Sequence, residues 1–536
     1  MTRPPRVRAL SVALLLGVLA CEAGPPAFDD PPADPGPSSG AAVDGELMSG
    51  KDTDSDNDVT PIDTSVPVAS EGDGGVVEPD SAVTPPSPRP ANTSAIDYQA
   101  AEPAGPRVEQ DDWGTERFPY PDAVRGVYLN AWASGSSRRM EALLEFARRT
   151  EINTFVIDIK DATGFLSHRT QIPLAHEIGA TEEVRIRDLP GLLARLEEEG
   201  IYPIARIVIV KDPLLIAARP DLAVQDTAGG VWADSKEIIW LNPFHRDVWA
   251  YHLDIAKEVA AMGFPEIQWD YVRFPDAPRA DLERAVFEGS DGRTKAQGIR
   301  SFLNYAREEL AEVGVMSTAD VFGVTTSSAR DVGIGQVWEA FIDVVDAALP
   351  MVYPSHYWQG SFGIQKPNAY PYEIVYRAMR DASRRSAAVE GAGVTRPYLQ
   401  DFTLGAPRYE APEVRAQIEA TYDAGIREWV MWNPGSRYTE GAYAPEGGWP
   451  ADAEPLMRVA GGVYPVSRRH VVIDSVRAAE AEAEARAEAL RDSLNALPVD
   501  TVEVVPDTLS QPDMTGAPVP DTTAGPLPDT LRAPSP

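Results

Sequence analysis

The chain has 536 residues, 49 of them proline, and a formal charge of −34 at neutral pH. That length admits two or three average domains, but so much proline and unbalanced charge excludes one fold running from end to end. Residues 22–115 hold 20 acidic side chains against three basic ones and residues 471–536 hold 12 against four, whereas 116–470 holds 50 against 38; nowhere is there the basic surplus of a nucleic-acid footprint.

The N-terminus reads MTRPPRVRALSVALLLGVLAC: three arginines, an apolar run too short to span a bilayer as a stable helix, then small residues and Cys21. This is the pattern of a secretory signal over residues 1–21. Cys21 is the only cysteine, so it has no disulfide partner in the chain, and VLAC resembles the bacterial lipobox at which the signal is cut and the new N-terminal cysteine acylated. The expectation is a secreted protein, lipid-anchored to the cell envelope on its periplasmic or outer side, that meets the membrane through that anchor alone.

Residues 22–115 are rich in Pro, Ser, Gly, Asp and Glu and poor in aromatics, which predicts a disordered acidic linker. Within it DTDSDNDVTPID (52–63) spaces carboxylates as a calcium loop does, but Asn57 stands where the sharp turn needs glycine, and the acidic linker is the simpler reading. At the other end, 471–496 is an alanine- and charge-rich helix with a thin apolar stripe, and 497–536 is a low-complexity, proline-rich tail.

Between these ends, β-rich runs alternate with helical patterns. The strands are expected in RGVYLNAW (125–132), TFVIDIKD (154–161), YPIARIVIV (202–210), EIQWDYVRF (266–274), VGVMSTADVFG (313–323), VDAALPMVY (345–353), RPYLQDF (396–402) and EWVMWNPG (428–435). Helices are expected in the seven gaps, including one in GQVWEAFIDVV (335–345). Eight strands alternating with helices predict a (β/α)8 TIM barrel over 116–470. A doubly wound sheet would show a Gly-rich nucleotide turn after its first strand, and NAWASGS has none.

In such a barrel the strand C-termini form the working rim. Asp158, Lys160, Asp270, Tyr271, Arg273, Asp320, Tyr353, His356, Asp401 and Trp432 fall there, with Arg206 inside the third strand. Carboxylates among tryptophans and tyrosines form the kind of surface that grips a sugar, whereas solubility alone calls for scattered Lys and Glu. The six histidines lack metal-ligand spacing and the region has no cysteine, so no metal or other cofactor is expected; the G-x-S-x-G elbow of a serine hydrolase is absent as well.

The ordered set RGVYLNAW, FVIDIKDATG, ARIVIVKDP with LNPF, EIQWDYVRFPD, ADVFG and MVYPSHY resembles a bacterial family named the putative glycoside hydrolase domain, itself distantly similar to the α-amylase superfamily; the resemblance covers about 125–449. It implies a carbohydrate-active barrel acting on a polysaccharide or oligosaccharide. By position in that superfamily Asp270 is the nucleophile, Asp320 the general acid and Asp401 a stabilising acid, although Gln268 stands where the superfamily has Arg and Asp320 where it has Glu. Retention of anomeric configuration needs two carboxyls ~5–5.5 Å apart, a separation that adjacent strand ends can supply. Arg273 is expected to hold Asp270 ionised, and Phe322 and Trp338 to raise the pKa of Asp320. The remaining rim residues are expected to bind substrate or support the pair. The rival reading is a catalytically silent lipoprotein that binds glycan or peptidoglycan; the sequence leaves oligomeric state open.

Overall fold

The computed structural model describes residues 95–495. The signal with Cys21, the 52–63 acidic stretch, the linker up to residue 94 and the 497–536 tail lie outside the described residues. All eight expected strands form: β1 Arg125–Leu129, β2 Thr154–Lys160, β3 Tyr202–Val208, β4 Glu266–Asp270, β5 Met316–Phe322, β6 Ala347–Met351, β7 Tyr398–Gln400 and β8 Trp429–Trp432. Neighbours pair in parallel in that order, β8 returns to β1 through Arg125–Trp429, and the β6–β7 junction closes at Met351–Tyr398, giving a (β/α)8 TIM barrel. That junction is the thinnest. A two-residue strand, Val394–Thr395, pairs first with β6, and Pro397, which has no N–H to offer a ladder, separates it from β7.

Strands β2, β3 and β5 are buried at every position, because the barrel interior covers one face and the helices cover the other. The outer ring consists of α1 Ser137–Arg149, α2 Leu189–Glu198, α3 Arg246–Met262, α4 Lys295–Ala311, α5 Trp338–Phe341, α6 Pro371–Ser386 and α7 Ala411–Asp423. Their starts carry the expected caps. Ser136 and Asp188 accept from backbone N–H groups of α1 and α2, and Thr294 with Gln297 forms a capping box on α4. After β8 a hairpin, Leu456–Val459 with Gly462–Pro465, leads to α8, Arg469–Asn495, which Arg469 ties to Asp423 of α7 at 2.9 Å.

Two expectations fail together, for one physical reason. The helix expected in GQVWEAFIDVV shrinks to the single turn α5, because carbonyls that would continue it are used by arginines of α4: Arg300 donates to Ala340 O at 2.9 Å and Arg307 to Asp343 O at 2.7 Å. The surface left uncovered is taken by residues 95–113, which composition assigned to the disordered linker. There the short helix Ala95–Ala101 packs Tyr98 against Ala296, Val337 and Ala340. Arg300 donates to Glu102 O at 2.8 Å, Arg307 to Gly105 O at 2.9 Å, and Gln99 to Asp343 at 3.0 Å. The expected domain start at 116 is therefore too late.

A fragment of residues 95–470 should melt as one cooperative unit, and a fragment starting at 116 should be less stable by about 2–4 kcal/mol, since Arg300 and Arg307 stay buried while losing acceptors. Urea unfolding of both fragments measures this; equal midpoints would mean that residues 95–115 contribute nothing.

Candidate active site

The site starts with register. Asp158 of β2 lies beside Arg206 of β3, and Arg206 beside Gln268 of β4, so an inward-pointing guanidinium stands between carboxylates on both sides. Arg206 Nε donates to Asp270 Oδ2 at 3.0 Å, and Nη1 donates to Asp158 Oδ1 at 2.5 Å. Asp158 also accepts from the Tyr128 hydroxyl of β1. The guanidinium is stacked near the rings of Trp432 and Tyr128, its carbon 5.1 and 5.3 Å from their centroids, and those two rings stack on each other at 3.8 Å. Burial disfavours the charge on Arg206, but the aspartates around it outweigh that and keep it protonated.

Asp270 and Asp320 face this centre from adjacent strands and are 5% and 2% exposed. Asp270 accepts from two partners: Arg206 at Oδ2, and the N–H of Tyr271 at Oδ1. Asp320 is served differently. Its Oδ2 accepts from Gln268 Nε2 at 3.0 Å and stands 3.9 Å from Arg206 Nε, while Oδ1 is buried with no partner among the described residues. Burial, then the charge of Asp270, push the Asp320 carboxyl well above the usual carboxylate range, against the opposing pull of Arg206 and the Gln268 bond. The nearest oxygens of Asp270 and Asp320 lie within 3.0 and 3.9 Å of one nitrogen, which keeps them within about 7 Å of each other. That bound admits the ~5–5.5 Å of a retaining pair.

Beside Asp320 the rim opens into a cleft walled by Phe322, Met351, Tyr353, His356, Tyr357 and Trp358. The hydroxyls of Tyr353 and Tyr357 and the indole N–H of Trp358 are buried there without hydrogen-bond partners among the described residues, as is Gln268 Oε1 nearby. Buried polar atoms are normally satisfied. Several orphans around one aromatic hollow suit a ligand with flat apolar faces and many hydroxyls, which describes a sugar.

Several expected roles are corrected. Arg273 does not pair with Asp270; the ion pair comes from Arg206, on the neighbouring strand. Lys160 is outside the acid cluster, fully buried in a 3.0 Å pair with Asp212. Asp401 accepts from Thr439 N at 2.8 Å, Thr439 Oγ1 at 2.7 Å and the Tyr443 hydroxyl at 2.7 Å, so it clamps the segment after β8 and has no bond to Arg206 or the other aspartates. Trp338, expected beside Asp320, packs on Phe341 and donates to Ser386. His356 lines the cleft, with Nδ1 2.9 Å from the Ser355 hydroxyl, and Tyr353 lies in the same wall. Tyr271 follows Asp270 with φ of 55°, a left-handed conformation costly for an aromatic residue and typical of strained functional corners. Tyr128 and Tyr398, the latter accepting from Gln268 at 2.9 Å, belong to the network but were not singled out, because interior tyrosines in all-buried strands carry no periodic mark.

The raised Asp320 carboxyl makes a pH prediction. The folded state holds a proton there that the unfolded chain has already released, so the stability it contributes is complete below the ordinary Asp range and is lost as pH rises toward the folded value. Asp320→Asn should therefore gain on wild type in urea midpoint as pH climbs from about 4 to about 8. Parallel profiles would mean that Asp320 titrates normally.

The model of the putative glycosyl hydrolase domain matches residues 126–438. Similar solved structures include a hypothetical protein from Ruminiclostridium thermocellum, 39% identical over 36% of this chain and 97% of that one, with a TM-score of 0.33. The PgaB (BpsB) glycoside hydrolase domain from Bordetella bronchiseptica is 13% identical over 59% of this chain and 95% of that one, TM-score 0.42. An α-L-fucosidase isoenzyme 2 from Paenibacillus thiaminolyticus is 13% identical over 60% and 48%, TM-score 0.40. No curated protein matches the chain. With more than half of its residues inside the matched domain, the chain belongs to the putative glycosyl hydrolase domain family.

Proposed function

We propose that this glycoside hydrolase cleaves a polysaccharide or oligosaccharide by a retaining mechanism, with Asp270 as nucleophile and Asp320 as general acid. The observation that carries the reading is the unequal provision for two neighbouring carboxyls: one ion-paired to Arg206, the other buried, short of donors and pushed toward its protonated form. In the first step Asp270 bonds to the anomeric carbon as the glycosidic C–O bond breaks, and the proton of Asp320 passes to the leaving oxygen. Asp320 Oδ1 suits that donation, since no group among the described residues competes for its proton. In the second step water attacks the glycosyl-enzyme, returns its proton to Asp320 and frees Asp270. Arg206 holds Asp270 in line, Gln268 orients Asp320, and the aromatic cleft beside Asp320 supplies faces and hydroxyl partners for a sugar ring.

Asp270→Asn should lower turnover by at least about 10³-fold while changing glycan affinity little. Asp320→Asn should lose about 10²–10⁴-fold on natural linkages and far less on nitrophenyl glycosides, whose leaving groups need no acid. Hydrolysis over a broad polysaccharide panel, with binding measured beside it, checks both. A wild type that binds glycan and cleaves none, with Asp270→Asn merely less stable, identifies a binding protein instead.

The second part of the proposal concerns location. The arginine-led apolar run ending in VLAC supports export and acylation at Cys21, with the acidic segment behind it as a spacer to the barrel. Cys21→Ser should move the protein from the membrane fraction to the soluble or secreted fraction; a mutant that remains membrane-bound and is processed as before contradicts acylation.

A further inference from the structure

Seven arginines are buried among the described residues, and six of them are hydrogen-bonded. Arg206 reaches Asp158 and Asp270, Arg300 reaches Asp343, Arg307 the Asp343 carbonyl, Arg385 reaches Glu339, Arg396 reaches Glu266, and Arg415 reaches Glu419. The seventh is Arg273. It is 7% exposed, its Nη1 is buried, and among the described residues that nitrogen has no hydrogen-bond partner and no carboxylate pairs with the guanidinium. Removing a guanidinium from water without a counter-ion is costly, and folded proteins avoid it unless something else brings the partner.

The surroundings of Arg273 form a receptacle. The strained turn at Tyr271, φ 55°, carries the chain from Asp270 to Arg273. There the guanidinium carbon lies 4.8, 4.9 and 5.0 Å from the ring centroids of Phe322, Trp240 and Tyr271. Three aromatic walls flank the fork, but they offer Nη1 no acceptor. Lys211, at the end of β3, places a second buried cation over two of the same rings, 5.2 Å from Trp240 and 4.7 Å from Tyr271. Phe322 belongs both to this box and to the aromatic cleft, so the two are neighbours on the rim, and Tyr271 joins the box directly to Asp270.

We propose that Arg273, supported by Lys211, receives an anionic substituent of the glycan, and that the substrate is an acidic polysaccharide carrying carboxylate or sulfate on the sugar next to the scissile bond. A planar, immobilised guanidinium recognises either group through paired N–H donors. The proposal rests on the hydrolase reading and names the substrate class of that same site. Arg273 acts in specificity only; it has no part in the two-carboxylate chemistry.

The test uses the full chain and matched probes: oligogalacturonate with its carboxyl-reduced form, oligoglucuronate with cello-oligosaccharides, and sulfated galactan oligosaccharides with their desulfated forms. Wild type should prefer the acidic member of at least one pair by tenfold or more in Kd and kcat/KM, with affinity falling as salt rises, and the pair that responds distinguishes carboxylate from sulfate. Arg273→Gln should erase that preference, the acidic member losing about 30- to 100-fold more than the neutral one, and Arg273→Lys should retain part of it. A guanidinium that only props the turn would instead lower both members of each pair equally. If Arg273→Gln fails to fold, the acidic-to-neutral ratio and salt dependence of wild type decide alone. Cleavage of neutral glycans with no acidic preference overturns the proposal and leaves the hydrolase reading standing; neither binding nor cleavage of any probe overturns both.

Discussion

A single guanidinium, that of Arg206, organises the centre of this barrel. Aspartates from β2, β4 and β5 converge on it inside a water-poor interior, where one cation cannot balance three anions. The donors are shared unequally. Asp158 takes a guanidinium bond and the Tyr128 hydroxyl, Asp270 takes a guanidinium bond and a backbone N–H, and Asp320 takes one amide bond and leaves an oxygen unserved. Burial and the charge of Asp270 therefore push the third carboxyl above the usual carboxylate range. The proposed assignment of nucleophile and acid rests on that competition for donors together with strand position.

The same scarcity of internal partners recurs around the centre. Gln268 Oε1, the hydroxyls of Tyr353 and Tyr357, the Trp358 indole and Arg273 Nη1 are all buried on or near one rim with no hydrogen-bond partner among the described residues. A fold selected for stability alone would pair such groups or replace them with hydrocarbon. Here their cost, together with the left-handed backbone at Tyr271, is concentrated where a ligand would relieve it.

How much of this was legible in the sequence depended on where the information resides. The eight strands were readable because their apolar runs and the helical patterns between them are local, and Asp270 and Asp320 stood out as carboxylates ending such runs. The partner of Asp270 was not readable. Arg273 is three residues away along the chain, but the contact that forms depends on register across strands, which places Arg206 beside Gln268 and within reach of Asp270. Asp401 likewise ends its strand as expected, yet the segment after β8 folds back and supplies Thr439 and Tyr443 to it. Residues 95–113 read as linker because composition records side chains, whereas much of what ties them to the barrel is the backbone carbonyls of Glu102 and Gly105.

The central claim, that Asp270 and Asp320 share one site electrostatically with Asp320 as the proton holder, can be measured at the carboxyl itself. Infrared difference titration of wild type against Asp320→Asn isolates the Asp320 band, and repeating it in an Asp270→Asn background removes the neighbouring charge. The account predicts that Asp320 stays protonated well above the ordinary Asp range in wild type and titrates at lower pH once Asp270 is neutral. An Asp320 that ionises in the ordinary range, with or without Asp270, would contradict it.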